Sequence, residues 1–285
     1  MTCSIATACV LLAVSTARAQ MPADWTQPAE PFRIADDLYY VGSSGISSFL
    51  LVGSEGNILI DTGLPANVPL VRASIEKLGF KLADVKILLS SHAHFDHVAG
   101  HAEMQKLTGA RVMALGDDAE ALSTGKDLSA LGSLGWAPVK VDRVLKGGDV
   151  VQLGNLSLTA HHTPGHTKGC TTWTAKLRLD GAPREAVFIG GTSINNGVKL
   201  LDNARHPAIA QDYARTFEVL KSFKAELFLA QHPQMFDMAA KAERLRAGDK
   251  SAFVDADGYA KFVAAQDTAY TTQLQKEQSA RGDAR

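Results

Sequence analysis

A chain of 285 residues, 46% hydrophobic and 21% charged, can bury a substantial core, and its 24 glycines and 10 prolines point to neither a fibrous nor a disordered polypeptide. Its 29 basic residues nearly balance its 30 acidic ones, so no strong overall field recruits nucleic acid, and a small-molecule substrate is the default expectation.

In chain order, positions 5–14 form an apolar run followed by Ser15-Thr16-Ala17-Arg18-Ala19, whose small residues fit an A-x-A cleavage site. This predicts a signal peptide over 1–19 and a periplasmic mature protein that begins near Gln20. The run is too short to span a bilayer and no later segment is a candidate span, so the mature protein is expected to be soluble; a monomer is the separate, default expectation. Cys3 and Cys9 leave with the signal, and Cys170 alone remains, which rules out an intrachain disulfide in the mature chain.

Stretches 38–41, 47–52 and 57–60 are rich in β-branched and aromatic residues and read as a strand meander. Over 68–78, Val71, Ile75 and Leu78 recur at helical spacing. A strand at 85–89, a helix at 98–107, a strand at 111–114 and a helix at 117–122 follow. Positions 125–138 form a loop too long for a simple connection, with Leu131, Leu134 and Trp136 in it, and it is a candidate substrate-contacting loop. Strands are expected at 143–145, 150–153, 156–161, 171–177 and 186–189. A helix over 209–220 carries Ile209, Tyr213, Phe217 and Leu220 on one face, a strand covers 227–230, and the tail from Ala239 is helical. Strands and helices mixed in both halves suit helical layers packed outside a two-sheet core, an α/β protein with a single domain over 20–285.

The informative string is Ser91-His92-Ala93-His94-Phe95-Asp96-His97, directly after the apolar strand 85–89. Imidazole and carboxylate are donors suited to zinc, and this concentration of them at a strand end is costly to fold unless a cation offsets repulsion and desolvation. His166, in the Thr163-Pro164-Gly165-His166 turn, and His232, after strand 227–230, stand where chain ends present ligands. His161 and His162 read as ordinary strand residues and His206 as a surface residue; His101, one helical turn beyond His97, could stand behind the metal loop but reads first as a solvated helix position.

These residues resemble the metallo-β-lactamase superfamily, whose hallmark is the H-x-H-x-D-H string followed by separated histidines at strand ends. The resemblance covers nearly the whole mature chain. It implies a four-layer αββα sandwich with metals at one edge between the sheets. It further implies that His92, His94 and His166 hold one zinc, that Asp96, His97 and His232 hold a second, and that Asp61 supports the metal loop as a buried aspartate. The glyoxalase II and lactonase branches place a bridging aspartate after the strand that here ends at Ile189, and subclasses B1 and B2 use a cysteine at about that point. This chain reads Gly190-Gly191-Thr192-Ser193 instead, so it is most similar to subclass B3, with Asn196-Gly197-Val198 departing from the commoner Pro-Gly-aromatic.

The resemblance implies hydrolysis of a β-lactam amide bond by a metal-bound hydroxide that Asp96 orients, and so antibiotic resistance. Thr192, Ser193 and Lys199 are candidates to receive the substrate's carboxylate, and Trp136, Leu134 and Ile46 to form apolar walls; plain loop solvation and satellite core packing compete with these roles. A lactonase or thioester hydrolase on the same site, and a periplasmic zinc-binding protein without turnover, stay open.

Overall fold

The computed structural model describes residues 21–282; the signal expected over 1–19 lies outside the described residues. Seven strands form the first sheet: β1 (Phe32–Ala35), β2 (Leu38–Tyr40), β3 (Phe49–Gly53), β4 (Gly56–Ile60), β5 (Val85–Leu89), β6 (Arg111–Leu115) and β7 (Val141–Leu145), in that spatial order. Five form the second: β8 (Val150–Leu153), β9 (Leu156–His162), β10 (Thr171–Leu179), β11 (Ala182–Ile189) and β12 (Leu227–Ala230), in sequential order across the sheet. The helices are α1 (Val68–Lys77), α2 (Phe95–Val98), α3 (His101–Thr108), α4 (Gly116–Thr124), α5 (Ile209–Ser222), α6 (Met238–Arg246) and α7 (Ala256–Gly282).

The period of two along the strands creates the layers. Ile58, Ile60, Ile87 and Leu89 of β4 and β5 pack with Leu158, Trp173 and Ala175 of the second sheet. Their alternates Leu59 and Leu88 point the other way, onto Val71 and Ile75 of α1, Met104 of α3 and Leu122 of α4. On the far side Tyr213 and Phe217 of α5 and Tyr270 of α7 cover the second sheet, where Ala186 to Ile189 of β11 and all of β12 are buried and apolar on both faces. The result is the expected αββα sandwich. Fully burying each such side chain contributes roughly 1.5–3 kcal/mol, so the strength of the fold lies in these three apolar interfaces.

Two differences from the sequence expectation have local causes. Strand β1 escapes the pattern because only Ile34 and Ala35 of its four residues are buried. The helix expected over 98–107 is broken into α2 and α3 at Gly100, where a Cβ would come within 3.0 Å of the Thr62 carbonyl oxygen and where the amide donates to Gly63 O at 2.9 Å. Of the described helices none is long and apolar enough to cross a membrane.

Candidate metal centre

Parallel pairing sends chain ends to one edge. β4 runs parallel to β5 and β11 parallel to β12, so the segments after all four strands emerge together. After β4 the chain turns sharply at Asp61, which has φ 59°. Its carboxylate accepts the Ser91 amide at 2.7 Å and the Ser91 hydroxyl at 2.6 Å, and it stands 3.5 Å from Nδ1 of His97. The amides of Thr62 and Gly63 donate to the His97 carbonyl at 3.0 and 3.1 Å. The loop after β5 is thereby fastened to the end of β4 by protein groups alone.

Two groups of ligand atoms result, His92 with His94 and His166, and Asp96 with His97 and His232; within each the atoms lie within 4.8 Å of one another. The groups adjoin, with the rings of His92 and His97 4.3 Å apart between centroids. Outward nitrogens have partners that turn the other nitrogen inward. Nδ1 of His166 donates to Ser193 O at 2.6 Å, Nδ1 of His232 to Gly45 O at 2.8 Å, and Nε2 of His94 meets Ser129 Oγ at 3.0 Å. His97 is wholly buried and its nitrogens face only carboxylates, Nε2 3.1 Å from Asp96 Oδ2 and Nδ1 3.5 Å from Asp61 Oδ2, neither in hydrogen-bond geometry. Crowded imidazoles with orphaned buried nitrogens are what a cation would satisfy, so the donors fit metal ions.

The electrostatics agree. Burial, reinforced by neighbouring histidines, pushes His92 and His94 below the usual imidazole range and His166 down to about 3, so all three are neutral donors at pH 7. Burial alone would depress His97 too, but the carboxylates of Asp96 and Asp61 outweigh it and hold it at about 10. Burial would raise Asp96, yet His97 and His232 keep it ionised well below the usual carboxylate range.

The ligand atoms face a cavity of about 290 Å³ walled by Trp25, Leu131, Leu134 and Met235, with Ser193 and Asn195 as polar members. Of the expected substrate contacts, Ser193 and Leu134 lie there. The others do not. Thr192 is buried with its hydroxyl toward Gln266 of α7 at 3.4 Å. Lys199 is exposed in a separate groove beside α7. Trp136 sits in the core under α4, because its amide closes the base of loop 125–138 on Gly125 O at 3.0 Å and so anchors the loop while Leu131 and Leu134 project from its tip. Ile46 is buried in the same way, one residue after the carbonyl that holds His232.

Two histidines also depart from expectation. His101 is buried rather than solvated, because the break at Gly100 turns it inward; its Nδ1 pairs with Thr62 Oγ1 at 2.7 Å and burial pushes its pKa down to about 4. His206 is buried against Asp212, with Nε2 2.7 Å from Oδ2. Sequence reading missed three contributors: Trp25, stacked on His232 at 5.9 Å; Ser129, on His94; and Asp118, which accepts from the Ala93 amide at 2.8 Å, the Thr167 hydroxyl at 2.7 Å and the Gly169 amide at 2.9 Å. Trp25 stands out as a lone tryptophan between prolines, the one signal that could have marked it.

The fold and site together define a metallohydrolase with a paired histidine–carboxylate centre at the edge between two sheets. The metallo-β-lactamase superfamily model matches residues 41–232, and the chain belongs to that superfamily. Its structure resembles the native FEZ-1 metallo-β-lactamase of Legionella gormanii at 44% identity and a TM-score of 0.86, over 88% of this chain and 98% of that one. It also resembles BJP-1, a subclass B3 metallo-β-lactamase of Bradyrhizobium japonicum, at 36% identity and a TM-score of 0.85, over 90% of this chain and 98% of that one. Curated relatives include hydroxyacylglutathione hydrolases and acyl-coenzyme A thioesterases; the thioesterase of Gallus gallus is 32% identical over 148 residues, 46% of this chain. The chain spans 36% of the length of the first hydrolase and 53% of that thioesterase.

Proposed function

We propose that this chain is a β-lactamase of the subclass B3 type that holds two zinc ions, the first with His92, His94 and His166 and the second with Asp96, His97 and His232. The observation that carries the reading is the second group, complete with Asp, His and His. Cys170 is outside it, and Gly190 and Gly191 occupy the place where other branches put a carboxylate or thiolate. Identity to a metallo-β-lactamase along nearly its whole length supports the substrate assignment, whereas the thioesterase likeness is partial.

Zinc, when bound, supplies Lewis acidity that polarises a carbonyl and lowers the pKa of water toward about 7. The chain's residues do the rest. Asp96 lines the cavity as an ionised, acceptor-only group, so it accepts a hydrogen bond from the attacking water and orients it. Ser193 and Asn195 present polar groups for the carboxylate of the substrate, while Trp25, Leu131, Leu134 and Met235 enclose its apolar body and exclude water. The apolar run at 5–14 with its small-residue site supports export to the periplasm, where such an enzyme would confer antibiotic resistance as a monomer.

Purified protein assayed with a chromogenic cephalosporin, a homoserine lactone and an acyl thioester tests this. Rapid cephalosporin hydrolysis is expected. Turnover of thioester or lactone alone would replace the reading with the second one, for which the curated thioesterase relatives speak. Zinc binding without turnover of any would leave a binding protein.

A further inference from the structure

Loop 127–134 is tethered from two sides. On the metal side Ser129 Oγ meets Nε2 of His94 at 3.0 Å and accepts the Leu131 amide at 3.1 Å. Within the loop the Asp127 carboxylate accepts the amide of Ser129 at 2.8 Å and the hydroxyl of Ser133 at 2.6 Å. On the opposite side stands Arg205, from the segment that leads into α5. Its Nε donates to Ser129 O and its Nη2 to Asp127 O, both at 2.9 Å. The guanidinium rests on Gly132, where φ is +58° and a Cβ would lie 2.7 Å from Cζ, so that position excludes a side chain on both counts. The Arg205 amide is itself held by Asn203 Oδ1 at 3.1 Å.

What this clamp holds is apolar and wet. Leu131 and Leu134 are 40% and 51% exposed and both line the cavity. Two leucines held half in solvent gain little of the burial that stabilises a fold, so their placement is accounted for by what enters the cavity. Two carbonyls at fixed spacing call for a planar fork, which a lysine does not offer.

We propose that Arg205 is a positioning residue: it clamps loop 127–134 so that Leu131 and Leu134 form the substrate wall and Ser129 stays on His94. The substrate part rests on the β-lactamase reading; the clamp does not. Arg205 thereby sets substrate affinity more than the rate of the chemical step.

The test uses the zinc-loaded protein with Arg205→Ala, Arg205→Lys and Gly132→Ala, the last displacing the guanidinium while leaving arginine in place. Amide hydrogen exchange at Ser129, Leu131 and Ser133 is expected to quicken about tenfold or more in Arg205→Ala. KM for a chromogenic cephalosporin should rise about five- to twentyfold while kcat stays within about threefold and zinc content is unchanged. Gly132→Ala should reproduce this signature, and Arg205→Lys should fall between. Unchanged exchange in Arg205→Ala, or faster exchange with KM unmoved, overturns the proposal. If the unmodified protein turns over no cephalosporin, the β-lactamase reading falls, and the exchange comparison alone decides whether the clamp exists.

Discussion

The carboxylate of Asp118 binds the amide of Ala93, the residue between His92 and His94, at 2.8 Å, and the same oxygen accepts the hydroxyl of Thr167, the neighbour of His166, at 2.7 Å. One buried acid thus ties together the two loops that supply every ligand of the first group. Burial lifts its pKa to about 6, against which these hydrogen bonds pull.

Replacing Asp118 by alanine leaves three buried donors without an acceptor, so a stability loss of about 2–4 kcal/mol is expected. Affinity at the first site should fall about 10- to 100-fold, the range for losing a partner that orients ligands. Asp118→Asn, which keeps the shape, should lose less of both. Chelator competition followed by urea unfolding measures the two effects; full metal affinity in Asp118→Ala would show that the loops need no brace.

Gly191 leaves room for the His166 ring: a Cβ there would lie 2.1 Å from its Cδ2. Gly191→Ala is therefore expected to displace His166 and empty the first site while the second still binds. Metal content by elemental analysis should fall toward one ion per chain. Two ions retained at full affinity would mean that the ring can move without consequence.

Much of this candidate site is legible in the sequence because H-x-H-x-D-H packs four candidate ligands into six residues, and because His166 and His232 follow recognisable strand ends. The supports are not legible. Asp117 and Asp118 stand side by side at the start of the helix expected over 117–122, and only the folded chain shows that Asp118 turns inward while Asp117 stays exposed. Proximity in sequence also misplaces side chains. Lys199 and Thr192 follow the same strand as Ser193, but α7 packs beside that segment and draws Thr192 toward Gln266. Trp136 belongs to the candidate loop in sequence and to the core in space.

Metal binding should be linked to protons at one group and not at the other. In the metal-free protein His97 holds a proton up to a pKa of about 10, which a metal must displace, whereas His166, at about 3, is already neutral. Affinity at the second site is therefore expected to rise about tenfold per pH unit from ~7 to ~9 and to level off above the His97 value, while the first site stays flat. Titration calorimetry in buffers of different ionisation enthalpy reads the released proton directly. The same shift sets the stability of the metal-free fold. The pairing of His97 with Asp96 and Asp61 contributes fully below the unfolded value of 6.5 and is lost as pH rises through about 10.

The assignment of the second site rests on His232 and not on the thiol. His232 presents Nε2 3.4 Å from Asp96 Oδ2 while Gly45 O holds its other nitrogen. Cys170 is buried with Sγ 3.5 Å from Gly191 O, burial pushes its thiol well above the usual range, and a Cβ on Gly190 would meet it at 2.6 Å, so it acts as a small packing group. His232→Ala removes one of three donors, and the second ion should be lost preferentially, with turnover falling steeply and the first site surviving. Cys170→Ser should leave about two zinc ions per chain and near-normal turnover. Exhaustive chelation should abolish activity in both the parent and the serine variant, and added zinc should restore it. Zinc lost from Cys170→Ser but kept in His232→Ala would mean that a thiolate holds the second ion and that this is not a B3-type centre.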